Sequence, residues 1–409
     1  MTTAVHVVSK TDNAKHAVCN ISQESPALAP SSVRARTHLI SLTSNNLTYA
    51  RSGGPPLYWW DVYPVPEACP PPFNDRDEWC IVPAWGYGFV TESTIGAIQP
   101  GSLLWGMWPA SGHEFDLRLE AGEPAGHWKE TSEHRGKLMT VYNRYEQTGS
   151  LSSAEMQIAG LCKTLWAGPS LLNSSTFSSR RIHPFGFGEP WSAEDAQLSS
   201  TVILSLSASS KTGRSFFWEL ARNRDSSKDG PLGLLQLTSA PETLPSFDTP
   251  LPVKAATYTD AQAPSWIGQF NPSRVLVVDF GASDAALQTL LTQIRTIVSS
   301  ASITVLGVGY ENKIYSSDEL KARLDAGAGK VRLNTSGLRD QAIKVLGAEE
   351  FFGEADETWK RCVADKTFDN IDLTVLTTVQ GRHGIEGAWD DLCNRKVPPT
   401  TGLLIDLSH

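Results

Sequence analysis

Residues 201–213 read TVILSLSASSKTG, and this stretch decides the fold. An apolar run ends in small hydroxyl residues. Lys211, Thr212 and Gly213 follow, and then a helical pattern begins. That order suits a nucleotide-binding strand–turn–helix. The strand buries its side chains, the turn gathers backbone N–H groups, and the helix N-terminus offers partial positive charge to a phosphate. Glycine normally provides the close backbone approach that a pyrophosphate needs. Here Ser207, Ala208, Ser209 and Ser210 take those places, and only Gly213 remains. Serine hydroxyls can donate to phosphate oxygens, and Lys211 adds a compact positive charge. The stretch reads either as a phosphate cradle (Ser207, Ser209, Ser210, Lys211, Thr212) or as a serine-capped helix start with an exposed lysine.

Working outward, further strands are expected at 232–238, 274–279 and 303–308. Between the last two, Leu287, Leu290, Leu291, Ile294, Ile297 and Val298 form one helical stripe, with Ser283 as N-cap. Strand–helix alternation at this spacing implies a parallel, doubly wound sheet over 151–350. The connection 239–273 is proline-rich and reads as partly irregular. At the end of the second strand, Thr238 and Ser239 stand where an acid would hold a free ribose 2′-hydroxyl, which leans towards a 2′-phosphate and NADP. Arg222 and Arg224 are candidate helpers.

The first part of the chain differs. Residues 1–30 show no periodicity and read as an irregular arm. Residues 31–150 hold short strands between Gly and Pro turns, the pattern of a small barrel, to which about 351–409 return. Residues 52–80 form a loop with seven prolines. A loop of that length is functional or a wrapped surface segment. Its Trp59, Trp60 and Tyr63 are candidates to wall a pocket, while Trp85, Trp105 and Trp108 are expected beneath the barrel strands.

Composition narrows the function. The 409 residues carry 35 Lys+Arg against 44 Asp+Glu, a net charge of −9. No basic excess is available to release counterions from a nucleic acid. No apolar stretch reaches membrane-spanning length, and the N-terminus lacks a signal-peptide core, so a cytoplasmic setting is expected. Six scattered cysteines, none in a CxxC pair, read as free thiols. Cys69 and Cys80 flank the proline-rich loop and could approach each other. Gly112-His113-Glu114 lacks convergent partners for zinc, so no metal is expected. His383 reads as a solvated loop histidine, and His134-Arg135 as residues that order the following segment or meet a phosphate.

With barrel and doubly wound patterns together, the chain resembles the medium-chain dehydrogenase/reductase superfamily. The resemblance covers roughly 32–408 and is nearest the zinc-free quinone-oxidoreductase branch. The motifs SNNLTYA, VPAWGYG, VYNRY and SASSKTG resemble more closely an uncharacterised family of bacterial and fungal proteins. The resemblance implies a GroES-like barrel domain, a Rossmann domain, substrate held between them, and a homodimer. Reductases of this branch hold a nicotinamide against an activated double bond and stabilise the enolate with hydrogen-bond donors. It implies candidate catalytic residues Tyr49, Tyr142, Asn143 and Asn46, with Asn45, Trp60 and Tyr145 at the substrate. A tyrosine donates a proton best if a nearby cation lowers its pKa.

The expected function is an NADP-dependent reductase of a hydrophobic enone or carbonyl compound, in fungal secondary metabolism. The alternative is a cofactor-independent lyase, isomerase, cyclase or C–C bond-cleaving enzyme on the same scaffold, since a serine–lysine turn is what a retired cofactor site would look like. A non-catalytic binding protein is a third reading.

Overall fold

The first residues already form sheet. The structure, a computed structural model, describes residues 2–22, 26–186, 191–309 and 330–408. Strands β1 (Thr2–Ser9) and β2 (His16–Ser22) form an antiparallel hairpin with Val5 opposite Cys19. The expectation of an irregular arm over 1–30 is therefore corrected. Polar residues inside the strands hid the pattern. His6 is fully buried, with Nε2 3.0 Å from His16 Nδ1, and His16 Nε2 lies 3.1 Å from Asp390.

A barrel follows. It is assembled from β3 (Ser32–Leu42), helix α1 (Ser44–Arg51), β4 (Trp79–Cys80), β5 (Pro83–Ser93), β6 (Leu103–Pro109), β7 (Phe115–Ala121), β8 (His127–Glu130) and β9 (Arg144–Thr148). β4 pairs with β1, outside the ring. The ring runs β3–β5–β6–β9–β8–β7 and closes back on β3. Arg34 fastens both seams of β3. Its buried guanidinium reaches Asp116 of β7 at 2.8 Å and Glu92 of β5 at 3.2 Å, the residues facing it in each register. Inside the ring, Trp108 is fully buried and donates to Gly86 O. A Cβ at Gly88 would lie 2.4 Å from the Trp108 ring, so only glycine admits the indole there.

The second unit contains α2 (Ser153–Leu171, begun in the first unit), α3 (Ala193–Ala196), β10 (Thr201–Leu206), α4 (Lys211–Asn223), β11 (Gly233–Leu237), β12 (Val253–Ala256), α5 (Ala263–Gly268), β13 (Arg274–Asp279), α6 (Asp284–Ile297), β14 (Ser302–Gly307), β15 (Lys330–Arg332), α7 (Thr335–Leu346) and α8 (Ala348–Ala364). Among the described residues, its six strands are all parallel, in the order β12–β11–β10–β13–β14–β15. This is the doubly wound order, with the direction of winding reversing between β10 and β13. Ser283 caps α6 through Ala286 N–H, and Leu287, Leu290, Leu291 and Ile294 are buried. Ile297 drops out of the stripe at 39% exposure. The connection 239–273, expected to be partly irregular, contributes β12 and α5.

The chain then returns to the first unit as β16 (Asp372–Leu376), α9 (Ile385–Cys393) and β17 (Thr401–Asp406), with β17 extending the barrel sheet along β3. Contacts divide the chain at Thr164/Leu165 and again at Ile371/Asp372. The second unit thus keeps α8, and the return begins later than residue 351. Among the described residues, no helix is long and apolar enough to cross a membrane.

Candidate functional site: a serine turn and an aromatic hydroxyl cluster

The turn after β10 stands at the carboxyl edge beside β13, the place where open parallel sheets bind ligands. Ser207 adopts φ 53°, a left-handed conformation, and its N–H donates to the Tyr258 hydroxyl at 2.7 Å. Ser209 Oγ pairs with Thr238 Oγ1 at 2.6 Å, tying the ends of β10 and β11 together. Ser210 is the N-cap of α4, and its Oγ accepts from Gly213 N–H at 3.0 Å. A Cβ at Gly213 would meet Ala208 O at 2.7 Å. Glycine is therefore required for the helix to start this close to the turn. Thr212, second in α4, has an amide with no acceptor in its own helix. Lys211 and Thr212 are half-buried and Ser239 is exposed.

Two neighbours of this turn were not legible from the motif. Tyr258 comes from the segment read as irregular. Asp279 ends β13, and its carboxylate accepts from Gly281 N–H at 3.0 Å and Ala282 N–H at 2.8 Å, shaping the adjoining turn. Arg222 and Arg224 are not helpers at a ribose. They lie at the far end of α4, roughly 16 Å of helix from Lys211 at 1.5 Å per residue. Arg222 pairs with Asp365 at 2.7 Å, and Arg224 donates to Asn173 at 2.8 Å.

In the first unit, α1 and the loop after it build an aromatic cluster. Tyr49 lies edge-on to Trp59 at 4.7 Å and to Tyr142 at 6.1 Å. Trp85 stands 6.1 Å from Tyr142 and stacks on Trp105 at 6.3 Å. The Tyr49 oxygen accepts from Asn45 Nδ2 at 2.7 Å and from Trp85 Nε1 at 3.1 Å. Both lone pairs are thereby occupied. Its own proton must point elsewhere, and the neighbouring hydroxyl bonded to it is that of Tyr142. Tyr142 is half-buried. Burial pushes Tyr49 up to about 12, so it stays a neutral phenol at physiological pH. That corrects the expectation of a tyrosine pKa lowered by a nearby cation.

The remaining candidates have structural partners. Asn46 forms a capping box with Thr43 and donates to Pro83 O at 3.0 Å. Asn143 donates to Arg135 O at 3.0 Å. Tyr145 is fully buried, with its oxygen 2.8 Å from Arg135 Nη1 and 3.0 Å from the Tyr63 hydroxyl. Trp60 donates to Ala50 O at 2.7 Å and covers Gly53. Asn46, Asn143, Tyr145 and Trp60 thus hold the frame, whereas Asn45 positions Tyr49. Arg135 is buried against Tyr63 and Tyr145 rather than open to a phosphate. His113 bonds Ser111 at 2.9 Å, and burial lowers it to about 4. His383 is exposed. Among the described residues, no cluster of three or more His, Cys, Asp or Glu could hold a metal. Cys80 does not meet Cys69. Its thiol points to Val8 O at 3.4 Å.

Residues 40–398 match a family described as "Protein of unknown function (DUF2855)". The chain belongs to the DUF2855 family. No curated protein matches it. Solved structures similar to this DUF2855 chain include CurA in complex with NADPH from Vibrio vulnificus (10% identity, 98% of each chain, TM-score 0.51). A mutant enoyl thioester reductase from Candida tropicalis is also similar (10% identity, 99% of this chain and 100% of that one, TM-score 0.53). So is the CurF ER cyclopropanase from the curacin A biosynthetic pathway (11% identity, 98% of this chain and 99% of that one, TM-score 0.50). At these identities the likeness establishes the fold, a GroES-like barrel and a Rossmann domain.

Proposed function

We propose that this DUF2855 protein is an NADP(H)-dependent reductase of a hydrophobic enone or other activated carbonyl compound, in fungal secondary metabolism. The observation that carries the reading is the serine turn. It stands at the switch point of a 3-2-1-4-5-6 sheet, and Gly213 is held too close to Ala208 for any side chain. A helix start pressed against its turn in this way is the cradle a diphosphate requires. At the end of β11 the exposed Ser239, with no acid beside it, suits a 2′-phosphate. Similar folds solved with NADPH and as enoyl thioester reductases support the same reading.

The residues divide the work as follows. Lys211 and the amide of Thr212 meet the diphosphate, while Ser209, Ser210 and Thr238 keep the turn in shape. The reduced nicotinamide, when bound, supplies the hydride. Tyr142 donates its hydroxyl proton to the carbonyl oxygen as negative charge develops there. Asn45, Trp85 and Tyr49 orient that proton. Trp59 and Trp85 present apolar faces that exclude water from a conjugated substrate.

The experiment is titration of purified protein with NADPH, followed by fluorescence or heat. Binding is expected, and Lys211→Ala should weaken it by about 1–3 kcal/mol, the scale of a charged hydrogen bond. No binding up to millimolar NADPH removes the reading. One observation favours a second reading, a cofactor-independent enzyme. The Tyr258 hydroxyl already takes the Ser207 amide that a phosphate would use. Turnover of an enone-derived intermediate without nicotinamide would select it.

A further inference from the structure

Cys19 and Cys69, 50 residues apart in sequence, bring their sulfur atoms to 3.2 Å. Each sits in its own well-fixed backbone. Cys19 lies mid-strand in β2 opposite Val5, and its thiol is 3.7 Å from Val5 O. Cys69 closes a turn of the proline-rich loop, with its N–H donating to Pro66 O at 3.0 Å. Both are buried, at 5% and 2% exposure. Elsewhere, Cys80, Cys362 and Cys393 direct their thiols to oxygen atoms. The free-thiol reading of the sequence thus conceals one sulfur–sulfur contact, and not the Cys69–Cys80 approach that the spacing suggested.

A disulfide bond needs about 2.05 Å between sulfurs. The approach required is therefore about an ångström, and one partner sits in a turn rather than in a paired strand. We propose that Cys19 and Cys69 are a modification site, forming a reversible intramolecular disulfide when the protein meets a peroxide. The chemistry balances in two steps. One thiol takes an oxygen from the peroxide, becoming a sulfenic acid and releasing water. The second thiol then attacks that sulfur, the S–S bond forms, and a second water leaves. Two thiols lose two electrons and one peroxide is reduced. Burial pushes the Cys69 thiol up to about 12, which keeps thiolate scarce near neutral pH and makes the first step slow. The pair therefore behaves as a lock set under sustained oxidation, not as a rapid sensor.

The lock has a mechanical meaning. It would fasten the β1–β2 hairpin to the loop whose Trp59 and Tyr63 are buried in the barrel core. It cross-links a long loop, which restricts the unfolded chain.

The test uses the full-length protein, with and without hydrogen peroxide. Remaining thiols are alkylated under denaturing conditions, and the protein is digested without reductant for mass spectrometry. The expected product is a joined peptide pair carrying Cys19 and Cys69, lighter than the two free peptides by two hydrogens and split by dithiothreitol. The other cysteines should be recovered alkylated. Recovery of Cys19 and Cys69 as free thiols, or as sulfinic acids, overturns the proposal. So does a Cys69–Cys80 link. Thermal unfolding gives an independent readout. The midpoint should rise by several degrees after peroxide and fall back with dithiothreitol, with no rise in Cys69→Ser or, if that variant misfolds, in Cys19→Ala. An equal rise in either variant overturns the assignment.

Discussion

The aromatic cluster of the barrel and the serine turn of the parallel sheet are both rich in hydroxyl groups, and they use them in opposite ways. In the cluster, two fixed donors fill the Tyr49 oxygen and Tyr142 is bonded beside it; in the proposed function the proton order runs outward to Tyr142. In the turn, the Ser207 amide, the Ser209 hydroxyl and the Ser210 hydroxyl all close on the protein itself. On the proposed function, the cluster's arrangement orients the donor before any ligand arrives. A self-satisfied turn must exchange partners before it can take a ligand, or meet it through the α4 amide of Thr212, which has no acceptor in its own helix. The difference teaches that hydroxyl content alone does not make a site. What matters is which atom is left pointing outward.

The largest effect should come from the barrel core. Trp108→Ala removes a fully buried indole, and the rigid Gly88 backbone beneath it cannot collapse into the gap. The expected cost is about 3–5 kcal/mol. Calorimetry should show the transition of the first unit moving down while that of the second stays. NADPH affinity should be retained below the new transition. A common shift of both transitions would break the comparison between independent regions.

The two units also bury titratable groups of opposite kind. Glu219 in α4 is 1% exposed, and burial pushes its carboxyl up to about 7 from 4.5. The folded state then holds a proton that the unfolded chain releases. Its contribution is complete below pH 4.5 and is lost as pH rises through about 7, at most about 3 kcal/mol. Glu219→Gln should flatten that loss and raise the midpoint at pH 8. His6 runs the other way, since burial lowers it to about 3 from 6.5. The unfolded chain takes up a proton that the folded one refuses, so stability is present above pH 6.5 and lost as pH falls towards 3. Unfolding measured between pH 4 and 8 should therefore weaken the first unit in acid and the second in base. Parallel pH profiles would contradict these assignments.

Much of the second unit was legible because β10, β11, β13 and β14 are largely apolar runs and α6 carries a stripe that is mostly buried. The turn was legible as well, from hydroxyls ahead of Gly213. The first hairpin was not, because β1 is a continuous buried run with His6 inside it and β2 alternates only over residues 19–22. The hydroxyl cluster was half legible. Asn45, Tyr49 and Tyr142 carry a recognisable motif, but Trp85 was assigned to packing, and nothing local marks it as the donor that fixes Tyr49. Asn46, Asn143 and Tyr145 share that motif and serve the frame, because neighbours in sequence face different ways. Tyr258 reaches the turn from 51 residues away, a distance that no spacing rule reads.

On the proposed reduction, Tyr142→Phe should lower kcat about 10²-fold, the lower range for a positioned proton donor. NADPH affinity should not change. Tyr49→Phe should cost less, about tenfold, because it acts through the orientation of Tyr142 and leaves the donor in place. If Tyr49→Phe is the more damaging of the two, the direction of the proton order is reversed.

The smallest effect sharpens the comparison most. Tyr258→Phe removes the hydroxyl that accepts from Ser207 N–H while keeping the ring, whose burial is considerable. The amide at the switch-point turn is then left without that acceptor. A phosphate oxygen that had to displace the tyrosine no longer does so. NADPH binding should tighten by about 1 kcal/mol, the net worth of one hydrogen bond no longer broken on binding. The folded protein should lose up to a similar amount of stability, because a half-buried donor has lost its partner. Affinity and stability are thus expected to move in opposite directions in one variant. If affinity falls instead, the tyrosine hydroxyl contacts the nucleotide, and the turn is a finished cradle rather than a self-satisfied one.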